Sequence, residues 1–224
     1  MSVSQRIQRL CSLLAPTDVF ADVGCDHGYC TEYMLKNGLC ERAIFSDVSK
    51  GSLQKAELLL REYVQGGKAK GVLGDGFFGI PESVGEVLIA GMGGSEILSI
   101  LTHPKYGFLP KTFVFQPMLN ADKLRKWILE NGGVITRDFT FKDGKYYDVI
   151  CGRRRLDGEE AQVYTDEEIE FGKENLQTLP EAFLERTSKQ LAELDGYLRI
   201  ENLQPQSRED LLARRERLQG VMKR

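Results

Sequence analysis

The order of its apolar segments constrains the fold of this 224-residue chain more than any other feature. Up to about residue 131, short apolar segments typical of strands alternate with segments whose apolar residues recur at helical spacing. The predicted strands lie at 19–23, 43–46, 71–73, 87–90 and 113–116. Such alternation predicts an α/β fold, in which helices cover both faces of a parallel sheet.

The alternation stops at two consecutive strands, predicted at 134–141 and 146–154 and joined by the turn Lys-Asp-Gly-Lys. Two strands joined by so short a turn pair antiparallel. A mostly parallel, Rossmann-like sheet that ends in an antiparallel hairpin is typical of class I methyltransferases, whereas dinucleotide-binding Rossmann domains generally lack the hairpin. We expect one domain of this class over residues 1–155.

Residues 160–224 are expected to form a second domain, which is helical. Apolar and small residues recur there at spacings of three and four, as in a coiled-coil seam. The seam consists of Leu184, Thr187, Leu191, Leu194 and Leu198. A Gln-Pro-Gln-Ser break follows, after which Ser207 is predicted to cap another helix. The pattern predicts an antiparallel helical hairpin.

Bulk properties narrow the classes of function. No apolar run approaches the roughly 20 residues of a membrane span, so no membrane partner is expected. The N-terminus does not resemble a signal peptide, and the five cysteines are an odd number, which together favour free thiols and a cytoplasmic location. Neither Cys-x-x-Cys nor His-x-x-x-His occurs, so no metal site is expected. The net charge of −3 leaves nucleic-acid binding open, because a local basic patch is sufficient.

Unusual sequences follow each of the five predicted parallel strands. In chain order they read DVGCDHG, SD, GDG, AGMGG and QPM. Because ligands of open α/β sheets bind at the carboxyl ends of the strands, these five sequences predict one site. Gly24 and Gly28 permit a sharp bend and a close approach of backbone to a ligand. Asp47 lies where an acid accepts hydrogen bonds from ribose hydroxyls, and Asp75 either contacts an adenine amino group or caps its turn.

The acids in the first loop bear on the choice of cofactor. Asp26 would repel the pyrophosphate of a dinucleotide, which argues against an NAD-linked oxidoreductase. S-adenosylmethionine carries a sulfonium and an ammonium group and no phosphate, so Asp22 and Asp26 suit it. The alternative for Asp26 is a cap on the following helix. His27 is expected either to orient the loop or to contact the methionine end of the cofactor.

The motifs DVGCDHGY and IAGMGG, with Asp47, FQP and Lys145-Tyr146-Tyr147, resemble the TrmK family, bacterial tRNA methyltransferases that modify N1 of adenine 22 with S-adenosylmethionine. The resemblance covers roughly residues 5–151, and the helical hairpin matches the family's C-terminal coiled-coil domain in kind. This chain departs from the family at Cys30-Thr31, which replace Leu-Pro, and at Met118, which replaces an asparagine.

The resemblance implies a set of site residues. Those lining the cofactor site would be Asp22, Gly24, His27, Gly28, Asp47, Asp75, Gly91 and Gly93. Asp26 and Tyr29 would lie nearest the transferred methyl group and are the catalytic candidates. N1 of neutral adenine has a free lone pair, so no base is needed; a carboxylate such as Asp26 would stabilise the developing positive charge. The target base must be unpaired or extruded, and Tyr29, Phe77 or Phe78 are available to stack on it.

The expected partner is tRNA, recognised largely by shape and phosphate contacts. The candidate RNA-binding residues are Arg153, Arg154, Arg155, Arg214, Arg215 and Arg217. Alternatives are a methyltransferase acting on another RNA, a protein or a small molecule, and a non-catalytic cofactor-binding interaction protein. A monomer is favoured over a dimer formed through the helical hairpin.

Overall fold

The computed structural model describes residues 4–200 and 202–224, and seven strands of this part of the chain form a single sheet. The strands are β1 (Thr17–Val23), β2 (Cys40–Asp47), β3 (Ala69–Leu73), β4 (Glu86–Met92), β5 (Thr112–Pro117), β6 (Gly133–Asp143) and β7 (Lys145–Arg154). Their order across the sheet is β3-β2-β1-β4-β5-β7-β6. All seven were predicted from the sequence.

Strands β1 to β5 pair parallel, and β7 pairs antiparallel with both of its neighbours, β5 and β6. The last strand is therefore inserted between β5 and β6, and Phe115 of β5 faces Ile150 of β7 across the ladder. This topology confirms the expected fold class, a Rossmann-like methyltransferase sheet that ends in an antiparallel hairpin.

Ten helices of the described chain surround or extend the sheet. They are α1 (Gln5–Cys11), α2 (Tyr29–Lys36), α3 (Lys50–Leu59), α4 (Arg61–Gln65), α5 (Gly94–Leu101), α6 (Ala121–Glu130), α7 (Asp166–Phe171), α8 (Lys173–Thr178), α9 (Glu181–Leu198) and α10 (Pro205–Met222). The helical segment after β2 is broken at Leu60, which is fully buried with φ −93° and ψ 11°. Helices α3 and α4 are the two parts.

Two apolar cores cover the two faces of the sheet. Helices α1, α2 and α3 pack on one face, around Phe20 and Phe45. Helices α5 and α6 pack on the other face, around Ile89 and Phe115. Successive side chains of a strand point to opposite faces, so the apolar runs of the central strands supply both cores. The carboxyl ends of the parallel strands remain open at one edge.

The C-terminal helices have their own core of Phe171, Leu176, Phe183, Leu194, Leu218 and Val221. Helix α10 begins at Pro205, with Gln204 as its N-cap, so the predicted cap at Ser207 is wrong. Proline suits the first position of a helix because its φ is already helical and its missing N–H needs no partner there. The division into domains at about residues 155–160 stays a prediction.

The C-terminal helices are tied to the sheet by polar contacts. Arg125 of α6 is fully buried and donates from Nε to both carboxylate oxygens of Asp138 in β6, at 2.9 Å each. The same guanidinium donates to the carbonyl oxygens of Ile169 and Glu170 in α7. Arg125 therefore joins three elements at one point.

No helix in the described part of the chain is long and apolar enough to cross a membrane. The five cysteines are all free and buried. Burial raises the pKa of the Cys25 thiol, which keeps it neutral beside the cavity described next.

Candidate active site

A cavity of about 600 Å³ opens at the carboxyl edge of the sheet, between the loops that follow β1, β2, β3 and β4. This volume is typical of a site for a cofactor-sized ligand. Among the predicted site residues, those lining the cavity are Asp22, Gly24, Asp26, His27, Tyr29, Asp47, Asp75 and Gly91. Six of the eight predicted cofactor residues and both catalytic candidates are thus brought together.

The loop after β1 is bent by three residues with left-handed backbone: Gly24 (φ 73°), Asp26 (φ 48°) and Gly28 (φ 74°). The backbone N–H groups of Gly24 and Cys25 both donate to the carbonyl oxygen of Ser46, at 2.8 and 2.9 Å. A Cβ on Gly24 would overlap Cε of Met92, so no larger residue fits there without displacing that side chain. The loop is therefore fixed against β2 and β4.

Asp26 and Asp47 meet at the mouth of this loop. The N–H of Asp26 donates to Oδ2 of Asp47 at 3.1 Å, and the N–H of Ser49 donates to Oδ1 at 2.8 Å. Each carboxylate oxygen of Asp47 keeps a lone pair for a hydroxyl donor. The Asp26 side chain is 72% exposed, and its Oδ1 lies 3.7 Å from Nδ1 of His27.

The alternative role for Asp26, as the cap of α2, is wrong. Gly28 is the N-cap of that helix, and no side chain caps it. Because Asp26 stands two residues before the cap with left-handed backbone, its carboxylate does not cap the helix and lies at the cavity beside His27.

Asp22 lies at the end of β1 and is 5% exposed. It accepts a hydrogen bond from Oγ1 of Thr31, at 2.8 Å. Burial raises the pKa of Asp22 to about 6, against the lowering effect of the Thr31 hydrogen bond. Thr31, which departs from the TrmK pattern, thus has a definite partner in this chain.

Two predicted cofactor residues, Gly28 and Gly93, do not line the cavity. A Cβ on Gly28 would lie 3.0 Å from Cβ of Ala56, so this glycine permits α2 to pack against α3. Gly93 is the N-cap of α5, and its N–H donates to Oε2 of Glu96 at 2.7 Å. Both glycines shape the loops around the cavity.

The aromatic candidates separate into different environments. Tyr29 lines the cavity, 5.8 Å from the His27 ring between centroids. Phe77 is buried and stacks on Phe108, which makes it a core residue. Phe78 is 46% exposed but does not line the cavity. Tyr29 is the one of the three with access to a base at the cavity.

Sequence reasoning missed Arg6 of α1, which lines the cavity from the other side. Its Nε donates to Oε1 of Gln116 at 2.9 Å, and its guanidinium lies 5.4 Å from the centroid of the Tyr147 ring. The N–H of Arg6 also donates to Oδ2 of Asp143, at 2.8 Å. Its partners lie at least 110 positions away in the sequence, so no local pattern indicates this role.

Arg153, Arg154 and Arg155 lie at or just beyond the end of β7, where Arg153 pairs with Thr112, the first residue of β5. This is the edge opposite the cavity, about 13 Å along the strand from Gln116. Arg153 binds Glu159 through both terminal nitrogens at 2.7 Å, and Arg154 binds Glu82. Their role in RNA binding stays a prediction.

The second arginine group lies on α10, outside the cavity. Arg215 pairs with Asp195 of α9, and Arg217 pairs with Glu170 of α7, so both help to hold the C-terminal helices together. Arg214 is exposed and forms no ion pair within the described chain. Among these residues, Arg214 has its charge most available to a partner.

The described residues contain no cluster of three or more histidine, cysteine, aspartate or glutamate side chains arranged to hold a metal ion.

Comparisons with known proteins identify the family and the fold of this chain. The family model of TrmK, tRNA (adenine(22)-N(1))-methyltransferase, matches residues 20–220. A tRNA (adenine(22)-N(1))-methyltransferase of Bacillus subtilis is 28% identical over 153 residues, 67% of this chain and 64% of that protein. A solved Streptococcus agalactiae protein of the NADB-Rossmann superfamily has a TM-score of 0.88 and 26% identity, covering 99% of this chain and 98% of that chain. TrmK of M. capricolum, solved with S-adenosyl-homocysteine, has a TM-score of 0.87 and 19% identity, covering 100% and 99%.

Proposed function

Because the chain belongs to the TrmK family of tRNA (adenine(22)-N(1))-methyltransferases, we propose that its cavity binds S-adenosylmethionine and directs the methyl group to N1 of adenine 22 in tRNA. One observation carries the choice of cofactor. Three loop amides that could otherwise bind the pyrophosphate of a dinucleotide already have partners, since Gly24 and Cys25 donate to Ser46 and Asp26 donates to Asp47. A phosphate-free, cationic cofactor fits this loop, and a dinucleotide does not.

The donor set of the cavity fits S-adenosylmethionine part by part. Asp47 keeps lone pairs for the two ribose hydroxyls, and Asp75 lies at the next strand end, where it can accept from the adenine amino group. Asp22 and Asp26 supply negative charge for the ammonium and sulfonium groups. Gly91, with φ 82° and no side chain, lets the backbone come close to the ligand.

The bound cofactor supplies an electrophilic methyl group on a sulfonium. The protein's part is to hold N1 of adenine about 3 Å from that methyl and in line with the breaking bond. The cavity loop Ala90-Gly91-Met92 carries no side chain that acts as a base, and none is needed because N1 has a free lone pair. We assign Tyr29 to stack on the extruded base.

Transfer leaves a positive charge on the adenine ring until its amino group loses a proton. Asp26 lies at the mouth of the cavity with an exposed carboxylate, where it stabilises that charge and accepts or relays the proton to water. Asp22 is buried at the end of β1 and Thr31 holds its carboxylate, so we assign it to the cofactor and not to the adenine.

For the RNA, we assign the C-terminal helices, residues 160–224, as the main contact surface. They are attached to the β6–β7 hairpin at its cavity end, through Lys142 with Glu185 and Asp148 with Arg186. This attachment supports a binding surface next to the cavity, and Arg214 is the most available charge among the three candidate arginines of α10. The arginines at 153–155 would contact only a more distant part of the RNA.

Incubation with labelled S-adenosylmethionine and an unmodified tRNA transcript tests the proposal. We expect 1-methyladenosine in the nucleoside digest, and none from the same transcript with guanosine at position 22. Methylation of both transcripts at another base would contradict the assigned nucleotide. Binding of cofactor with no methylation of any tRNA would favour the small-molecule alternative.

The RNA surface is tested by the salt dependence of tRNA binding. Arg214→Gln is expected to lower the slope of log K against log salt by about 0.7–0.9, the loss of one phosphate contact. Arg153→Gln is the matched control, because its guanidinium is already paired with Glu159. An equal drop in slope for both variants would extend the RNA surface to the opposite edge of the sheet.

A further inference from the structure

A second recess, the β2–β3 recess, lies apart from the active-site cavity, over the amino-terminal halves of β1, β2 and β3. It has a volume of about 330 Å³ and reaches to the loop before β4. Its apolar lining includes Val19, Ile44 and Pro81. The helices packed on β2 and β3 are α2, α3 and α4, which lie on the other face of the sheet. This face of the two strands is therefore open to a ligand.

The β2–β3 recess concentrates positive charge. Its cationic lining residues are all exposed: Arg42, Lys68 and Lys70. Among the described residues, none of these three side chains has an ion-pair or hydrogen-bond partner, and no acid lines the recess. Glu82, in the loop beside the recess, is already paired with Arg154. The neighbouring acids Asp18 and Glu41 lie on the opposite face of the sheet, because side chains alternate along a strand. Three unopposed cations thus meet on a chain whose net charge is −3.

We infer that the β2–β3 recess binds backbone phosphates of the tRNA substrate, an inference that rests on the proposed function. Lysine and arginine side chains bind nucleic-acid phosphates through contacts that position the substrate without reading its sequence. A small anionic ligand is less favourable, because its site would need a few precisely placed polar groups to fix its orientation. The two buried lining residues are Ala43 and Ala69, which offer no polar side chain. Exposed cations around an apolar floor suit a polyanion that approaches from solvent.

The β2–β3 recess and the C-terminal helices lie on opposite sides of the cavity. Strands β3 and β2 form one end of the sheet, and β7 and β6, to which those helices are attached, form the other. Lys70 pairs with Ile44, three residues before Asp47 of the cavity, which corresponds to about 10 Å along β2. Arg42 is about 17 Å from Asp47 by the same measure. An RNA that contacts both surfaces would therefore be held across the cavity.

The salt dependence of tRNA binding tests the RNA contact. The triple variant Arg42→Gln/Lys68→Gln/Lys70→Gln is expected to lower the slope of log K against log salt by about 2–3, at about 0.7–0.9 for each lost phosphate contact. A matched control removes three exposed cations that have no ion pair within the described chain and lie on the other face of the sheet: Lys36→Gln/Lys55→Gln/Arg61→Gln. We expect its slope to equal that of the wild type. Both variants lose three positive charges, so the comparison separates a local contact from an effect of net charge.

Methyl-transfer kinetics give a second measurement, because the recess is remote from the reacting atoms. The KM for tRNA should rise about tenfold or more in the first triple variant, whereas kcat at saturating tRNA should not change. Calorimetric affinity for S-adenosylmethionine should equal that of the wild type, which also checks that the variant is folded.

Cross-linking locates the contact directly. The five native cysteines are all buried, so a photo-crosslinker can be attached selectively to the thiol introduced by Lys70→Cys. We expect this position to couple covalently to tRNA on illumination. Lys55→Cys, on the other face of the sheet, is the control and should not couple.

Equal slopes for the two triple variants would overturn the RNA contact, and so would coupling of tRNA at Lys55→Cys but not at Lys70→Cys. An unchanged slope, together with calorimetric binding of inorganic phosphate or AMP that the first triple variant loses, would overturn it in favour of a small-ligand site. If the wild type does not bind tRNA, both the contact and the proposed substrate are wrong. If the slope difference is seen but no tRNA is methylated, the contact stands and the proposed function fails. If tRNA is methylated and the first triple variant binds it as the wild type does, the proposed function stands and the contact fails.

Discussion

The buried Asp22 predicts that cofactor affinity decreases as the pH is lowered through about 6, which is above the range in which exposed carboxylates titrate. Burial raises the pKa of Asp22 from 3.8 to about 6 in the free protein. A cationic ligand in the cavity favours the ionised form, so binding below that pKa must release a proton. We therefore expect affinity to be constant above about pH 7 and to fall as the pH decreases through 6.

The size of the effect follows from the fraction of protein with Asp22 ionised. With a pKa of about 6, that fraction is about one half at pH 6 and about one tenth at pH 5. Compared with its value above about pH 7, the dissociation constant should therefore be about twofold higher at pH 6 and about tenfold higher at pH 5. The tenfold change corresponds to about 1.4 kcal/mol. Proton release per ligand should approach one at pH 5.

Isothermal calorimetry from pH 5.0 to 7.5, in pairs of buffers with different ionisation enthalpies, measures both affinity and proton release. Asp22→Asn should remove the pH dependence, and it should also weaken binding at pH 7.5. Thr31→Val removes the hydrogen bond that lowers the pKa of Asp22, so the decrease in cofactor affinity should occur at higher pH. His27→Gln, which removes the imidazole that lines the same cavity, is the control and should leave the pH dependence in place.

The same pKa predicts that the stability of the free protein changes with pH in the direction opposite to the cofactor affinity. A carboxyl group whose pKa is raised in the folded state favours folding at low pH, and this contribution is lost as the pH rises through about 6. Raising the pKa from 3.8 to about 6 costs about 3 kcal/mol at pH 7.5. Asp22→Asn should therefore raise the melting temperature of the free protein while weakening the cofactor. The reasoning is refuted if the wild type binds the cofactor with equal affinity at pH 5 and 7.5, or if Asp22→Asn retains the pH dependence of that affinity.

Three further substitutions have expected outcomes. Gly24→Ala should weaken cofactor binding at least tenfold, by strain at φ 73° and by contact with Met92; calorimetry checks this, and an affinity equal to wild type would refute the close packing of the loop. Asp26→Asn should leave cofactor binding within about tenfold and slow methyl transfer more than that in single-turnover assays, whereas loss of binding alone would assign the residue to the cofactor. Arg125→Met should destabilise the protein by about 3–5 kcal/mol in urea unfolding, because it leaves the buried Asp138 carboxylate unpaired; a loss below 1 kcal/mol would show that Asp138 finds another partner.

The fold was largely predictable because its signals are local. The apolar segments predict all seven strands, and the turn Lys-Asp-Gly-Lys predicts the hairpin. The acids at strand ends were also predictable, since the carboxyl ends of parallel strands meet at one edge whatever the loops do. Asp47 and Asp75 both line the cavity as expected.

What the sequence did not reveal depends on contacts between distant segments. Arg6 and Gln116 are 110 residues apart, and Arg6 lies in no motif. Gly28 and Gly93 match the motifs but act through packing and capping, which only the positions of α3 and Glu96 reveal. The short helices α7 and α8 lack a long apolar repeat, and tertiary contacts such as Arg125 with the α7 carbonyls hold them in place.

The insertion of β7 between β5 and β6 has a consequence for synthesis on the ribosome. Strand β6 emerges first, but its place in the sheet requires β7, so the edge of β5 stays unpaired until residue 154 has been made. Arg6 also lacks two of its neighbours until then, because Asp143 lies at the end of β6 and Tyr147 lies in β7. The nascent chain thus carries an exposed strand edge and an incomplete cavity through most of translation. Formation of the β6–β7 hairpin pairs the edge of β5 and also completes the cavity.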